Sequence, residues 1–291
     1  MRSTSPVSRP AWVDAMNALT GAGGANRKSP VEIIADAASV VTHSPYAEVA
    51  GISHGKLGRW TDGVAELRAD RTEFASYWDT HNDRVLGHRD LALRNGDEPD
   101  PLWVVLGDST AQGLGAPGPR DGYVGQTLYQ LRRTTGRHWR VLNLSVSGAL
   151  IRDVIAEQLP QLDGQQPDLV TCGAGANDIL YSAPGKLFSD LRVLLAGVPE
   201  DTVMLDLPLL PGFWGIVGRM SVPYMSRINR VIREVAGERS LRVAEVSRHF
   251  IPPWAGKFSV DHFHPSQDGY RDWSRALVEA LTAGPAAAVA A

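Results

Sequence analysis

Four short blocks of this sequence hold side chains whose types and spacing suit nucleophilic chemistry. The first is Gly107-Asp108-Ser109, which ends the apolar run Leu102-Trp103-Val104-Val105-Leu106. A hydroxyl where a buried strand gives way to a Gly-rich turn can act as a nucleophile. It can equally cap a helix, since Asp, Ser and Thr are preferred N-cap residues. The second block, Asn143 to Ala149, ends in Ser147-Gly148-Ala149. A glycine there either aims a backbone N–H at a ligand or merely makes the turn. The third, Gly173-Ala174-Gly175-Ala176-Asn177-Asp178, delivers a carboxamide suited to a developing oxyanion, or a cap for the next helix. It lacks the full Gly-x-Gly-x-x-Gly pattern, so a dinucleotide site is set aside. The fourth is Asp261-His262-Phe263-His264-Pro265. A carboxylate three residues before a histidine can fix its tautomer while the other ring nitrogen works as a base. Asp261, His262 and His264 could instead hold a metal, but three ligands within four residues are cramped and no fourth is visible.

The elements that must position these blocks alternate in type from Leu102 onward. Strands are predicted at Leu102 to Leu106, Arg140 to Ser147, Asp168 to Cys172, Thr202 to Leu207 and Leu241 to Val246. Helices are predicted at Tyr123 to Arg133, Leu150 to Leu162, Lys186 to Leu195, Tyr224 to Ala236 and Ser266 to Leu281. Five strands separated by helices make a parallel sheet covered on both faces. Ser109, Gly148, Asn177 and His264 then all fall at its carboxyl edge, where open α/β sheets bind ligands. Nucleophile, oxyanion donors and base converging on one edge is the set that acyl transfer needs. Upstream, Asp62 to Leu93 reads as a charged helix with an apolar stripe, and Val31 to Val41 and Trp12 to Leu19 as shorter ones.

The chain has 291 residues, 43% hydrophobic and 21% charged, with a net charge of −3. That near-neutral balance carries no nucleic-acid signature. The single cysteine, Cys172, rules out an internal disulfide and a cysteine-based metal cluster. The Ser/Pro-rich start is not followed by a signal-peptide core, and no run spans a bilayer, so a cytoplasmic protein without stable membrane insertion is expected.

With all four blocks in order, residues 101 to 283 resemble the SGNH (GDSL) hydrolase superfamily. One position departs from the pattern: Ser145 stands where glycine is common. The resemblance implies a flavodoxin-like three-layer α/β/α fold. It implies Ser109 as nucleophile, His264 as base and Asp261 as its orienting acid. The oxyanion hole would be the N–H groups of Ser109 and Gly148 with the Asn177 side chain. No cofactor and no metal are required, and the partner expected is a small-molecule acyl ester. Cleavage of carboxylic esters through an acyl-enzyme is the leading expectation. The alternatives are an acyltransferase or thioesterase on the same scaffold, or a non-catalytic lipid- or carbohydrate-binding module. Domain boundaries are expected at 1–100 for a helical N-terminal extension, 101–283 for the hydrolase and 284–291 for an Ala-rich tail. The apolar stretch Leu205 to Met225, with Phe213 and Trp214, is either a flap lining an acyl pocket or packing for the N-terminal region.

Overall fold

A computed structural model describes Glu32 and residues 56–209, 216–261 and 263–283. The expected helices before residue 56, the Ala-rich tail, Phe213, Trp214 and His262 lie outside the described residues.

The chain enters through one long helix, α1 (Lys56–Asn95), which extends the predicted helix at both ends. At 1.5 Å per residue its 40 residues run about 60 Å. Val64, Leu67, Phe74, Trp78 and Val85 are buried and recur at helical spacing among many charged and polar positions. Then come β1 (Leu102–Gly107), the short α2 (Ser109–Gln112), a 3-10 turn (Pro119–Asp121), α3 (Tyr123–Thr135) and β2 (Arg140–Asn143). The helix predicted from Leu150 to Leu162 is three pieces: α4 (Ile151–Asp153), a π-helical turn (Val154–Gln158) and a 3-10 turn (Leu159–Leu162). β3 (Leu169–Gly173), α5 (Asp178–Tyr181), α6 (Pro184–Gly197) and β4 (Val203–Leu205) follow. The chain closes with α7 (Ile216–Glu238), β5 (Arg242–Ala244), α8 (Val246–His249) and α9 (Gln267–Thr282).

The five strands pair in parallel in the order β2-β1-β3-β4-β5. Strand alternation sorts the core into two halves. Leu102, Val104 and Leu106 join the cluster filled by Leu187, Leu191 and Leu194 of α6 and Ile228 and Ile232 of α7. Trp103 and Val105 join the opposite cluster, filled by Tyr123 and Leu131 of α3 and Tyr270, Trp273 and Leu277 of α9. This is the three-layer α/β/α architecture expected. The chain leaves β1 for β2 on one side and returns for β3 on the other, which makes the carboxyl end of β1 a topological switch point.

Two boundaries differ from expectation for local reasons. β2 is regular to Asn143 rather than Ser147; beyond it Leu144 N and Val146 N still donate to Val105 O (2.9 Å) and Gly107 O (3.2 Å), while the Asn143 carboxamide ties the turn together. Its Oδ1 accepts from Ser145 N (3.2 Å) and Ser145 Oγ (2.6 Å), and its Nδ2 donates to Ala111 O (2.9 Å). Helix α7 runs upstream through Pro223 to Ile216, so the C-terminal part of the apolar stretch is helix rather than loop. A proline there removes one backbone hydrogen bond without ending the helix.

The N-terminal helix also closes an open sheet edge. β2 is an edge strand, and an uncovered edge presents unpaired N–H and C=O groups. Asn82 of α1 meets both groups of Asn143: Nδ2 donates to Asn143 O at 2.7 Å and Oδ1 accepts from Asn143 N at 2.9 Å. His81 Nε2 lies 3.1 Å from Val141 O. Trp78, one turn earlier, donates its indole N–H to Gln112 O at 2.9 Å.

Candidate active site

The nucleophile block turns on Gly107. A Cβ at this residue (φ 154°) would lie 2.6 Å from Gly173 O, so only glycine lets β1 and β3 end side by side. Gln158, from the π-helical turn, grips the Gly107 backbone with both ends of its carboxamide: Oε1 accepts from Gly107 N (2.8 Å) and Nε2 donates to Gly107 O (2.9 Å). Asp108 then caps α2, accepting from Thr110 N (3.0 Å) and Thr110 Oγ1 (2.8 Å). The capping role open to Ser109 therefore falls to its neighbour, and the Ser109 hydroxyl is left for another partner. Burial pushes the Asp108 carboxyl above its usual range, opposed by the two Thr110 bonds and by His264.

That partner is His264. Ser109 Oγ lies 2.9 Å from His264 Nε2, and His264 Nδ1 lies 2.6 Å from Asp261 Oδ2. The three are buried, with Ser109 the most open at 6%. Asp261 Oδ1 accepts from Ser259 Oγ (2.9 Å), Phe263 N (2.9 Å) and His264 N (3.0 Å), so the carboxylate has one orientation. Burial alone would raise the Asp261 pKa. The adjacent His264 and these hydrogen bonds outweigh burial and hold it at about 2. An ionised Asp261 accepting at Oδ2 keeps the imidazole proton on Nδ1 and leaves Nε2 as acceptor toward Ser109. Such a chain can move a proton from hydroxyl to imidazole.

The donors sit around this chain. Ser109 is the first residue of α2, so its N–H has no acceptor within the helix. Gly148 has a left-handed backbone (φ 79°), and its N–H finds no acceptor among the described residues. Asn177 is buried; its Nδ2 donates to Ala149 O at 3.0 Å and stands 3.4 Å from Asp108 Oδ2. It therefore bridges the residue after Gly148 and the residue before Ser109. Asn177 makes no side-chain cap to α5. Asp178 does the structural work there, accepting from Ile151 N (2.9 Å) and Ser182 Oγ (2.9 Å). Burial raises its carboxyl to about 6 against those bonds, with Asp190 and Asp153 adding to the rise.

The structure thus brings Ser109, Asp261 and His264 into direct contact and places Asn177 and Gly148 beside them. Among the described residues no group of three His, Cys, Asp or Glu could hold a metal ion. No described helix is long and apolar enough to cross a membrane. Sequence reasoning missed Gln112, Gln158 and Asn82, all of which hold the site's backbone; Trp78 reads from sequence as a residue that docks its helix onto the core, without its bond to Gln112. For Gln112 the one signal is polarity between buried neighbours, in Ala111-Gln112-Gly113-Leu114.

Comparison with solved structures finds the same fold. TesA is 23% identical, with 62% of this chain and 98% of that one covered and a TM-score of 0.52. Axe2, an acetylxylan esterase from Geobacillus stearothermophilus, is 21% identical over 65% of this chain and 97% of its own, with a TM-score of 0.51. A lipase from a goat rumen metagenome is 18% identical over 64% and 99%, also at 0.51. A search of curated proteins gave no match. The GDSL-like lipase/acylhydrolase family matches residues 105–271, which is more than half of the 291-residue chain and contains all four blocks. The chain therefore belongs to the GDSL-like lipase/acylhydrolase family and is a carboxylic ester hydrolase.

Proposed function

We propose that this protein cleaves carboxylic esters by a serine mechanism through an acyl-enzyme on Ser109. The observation that carries the reading is the hydrogen-bonded chain Ser109–His264–Asp261, at 2.9 and 2.6 Å. Ser109 Oγ attacks the acyl carbonyl carbon while His264 Nε2 takes the hydroxyl proton. Asp261 stabilises the imidazolium that results without taking the proton itself. The carbonyl oxygen becomes an oxyanion, met by the N–H groups of Ser109 and Gly148 and by Asn177 Nδ2. The second hydrogen of Asn177 Nδ2 is poorly engaged at 3.4 Å from Asp108, so it can turn to that oxygen at little cost. As the intermediate collapses, the C–O bond to the alcohol breaks and His264 returns its proton to the leaving oxygen. Water then attacks the acyl-enzyme with its proton passing to His264, and the acid leaves Ser109 with its hydroxyl restored.

The test is hydrolysis of a p-nitrophenyl ester series, from acetate to palmitate, by wild type and Ser109→Ala in parallel. Turnover by wild type with a folded, inactive Ser109→Ala supports the reading, and the preferred length sizes the acyl pocket. Activity in folded Ser109→Ala overturns it.

A further inference from the structure

Oxyanion stabilisation works only if its donors stay fixed while charge builds, because the gain lies in avoiding reorganisation. Gly148 lies on an irregular segment between β2 and α4, two residues beyond the last backbone bond to β1, from Val146 N to Gly107 O at 3.2 Å. The segment's backbone is tied to β1 only as far as Val146, and the side chain that grips it between there and Gly148 is Gln112, the last residue of the helix that starts with Ser109. Gln112 is 4% exposed. Its Nε2 donates to Ser145 O at 2.9 Å, and its Oε1 accepts from Ser147 Oγ at 2.7 Å. A carboxamide offers a donor and an acceptor together, so one side chain grips the loop at two residues just ahead of Gly148. Asn143 adds a second tie between the same two segments through Ala111 O.

The grip is itself backed from outside the hydrolase core. Trp78 of α1 donates to the Gln112 carbonyl, and Asn82, one turn on, takes both backbone groups of Asn143. Two residues of one helix face thus hold the two segments that carry Ser109 and lead to Gly148. No other residue type fills the role of Gln112. Leu or Met would leave Ser145 O and Ser147 Oγ without it, Glu has no donor, and Asn is one methylene short.

We propose that Gln112, backed by Trp78 of the N-terminal helix, is a positioning residue that holds the Gly148 N–H in fixed relation to Ser109 as the tetrahedral intermediate forms. The proposal rests on the serine mechanism above. It gives the N-terminal helix a part in the chemistry without contact to the substrate.

The test measures kcat and KM of full-length Gln112→Met, Ser147→Ala, Trp78→Phe and Ser109→Ala on the p-nitrophenyl ester that wild type turns over fastest. Loss of an oxyanion donor costs about 10²–10³ in rate, and a displaced one about 10². Gln112→Met should lower kcat about 10- to 100-fold with KM within about twofold and the pH midpoint unmoved, since His264 and Asp261 are untouched. Ser147→Ala keeps the bond to Ser145, and Trp78→Phe keeps an aromatic side chain while removing the N–H to Gln112 O, so each should lower kcat by about three- to tenfold. The proposal is overturned if kcat in folded Gln112→Met stays within about twofold of wild type, or if KM rises with kcat unchanged. If Gln112→Met does not fold, kcat in Ser147→Ala decides: unchanged, the proposal fails. Activity in Ser109→Ala would instead sink the serine mechanism, and this inference with it.

Discussion

Replacing Asp261 by Asn separates orientation from charge at the base. Three donors converge on Oδ1, from Ser259 Oγ, Phe263 N and His264 N. The carboxamide oxygen must take that position, because an NH₂ there would face all three. The NH₂ then points at His264 Nδ1, which lies 2.6 Å from Oδ2 in the native protein. Two donors cannot share that contact, so Nδ1 gives up its proton and Nε2 carries it instead. Nε2 faces Ser109 Oγ at 2.9 Å and, once protonated, cannot accept the hydroxyl proton. A wrong tautomer of this kind costs roughly 10³–10⁴ in kcat. The stability consequence follows from linkage. The Asp261 pKa is 3.8 as a free carboxyl and about 2 in the fold. At about 1.4 kcal/mol per unit the native carboxylate contributes roughly 2 kcal/mol. A depressed carboxyl is fully stabilising above its unfolded pKa and loses that contribution as pH falls through the folded one. The window is therefore from about pH 4 down to about pH 2. The assay is kcat on a p-nitrophenyl ester at pH 7, with urea unfolding at pH 7 and across the acid window. Asp261→Asn should be nearly inactive, less stable than wild type at pH 7, and flatter than wild type between pH 4 and 2. Retention of more than about a tenth of wild-type kcat would refute the tautomer argument, and parallel acid curves would refute the linkage.

Other consequences are testable with single variants. Asn82→Leu strips both hydrogen bonds from Asn143 and should cost about 2–3 kcal/mol in urea unfolding, with added aggregation through the uncovered β2 edge. Gly148→Ala puts a Cβ on a left-handed backbone, at a local cost of about 1–2 kcal/mol, and should lower kcat at least about tenfold while KM changes little. Cys172 is fully buried and burial pushes its thiol up to about 12. Iodoacetamide should therefore leave the native protein unlabelled and active and react only after denaturation, as followed by intact mass.

Much of this molecule is legible in its sequence because three of the four chemical blocks follow strand ends, which share an edge in a parallel sheet, and the fourth immediately precedes the last helix. Trp103 and Val105 against Val104 and Leu106 give the sheet away by composition, and the switch from period 3.6 to buried apolar runs at Leu102 locates it. What stayed hidden depends on side chains that replace backbone partners. Nothing in the pattern of residues 140–147 says that the Asn143 carboxamide folds back on the turn after β2, or that Ser145, in the usual glycine place, donates to it. The run 150–162 has helical spacing but twists through α, π and 3-10 turns, which lets Gln158 reach Gly107. Asp108 and Ser109 are both good caps, and only the folded chain decides which one caps and which faces His264. The helix α1 reads as a charged appendage. Its contacts with the β2 edge and Gln112 come from tertiary packing that no local pattern reports.

The central claim is that Ser109 is the nucleophile, and covalent trapping tests it most directly. A fluorophosphonate forms a stable adduct with an activated serine without the substrate being known. Incubation of the full-length protein with such a probe, followed by peptide mass spectrometry, should show one adduct, on Ser109, that blocks ester hydrolysis in step with labelling. The adduct should vanish in Ser109→Ala and form far more slowly in His264→Ala. Unlabelled Ser109 in active enzyme, or an adduct on another residue that tracks loss of activity, would contradict the account.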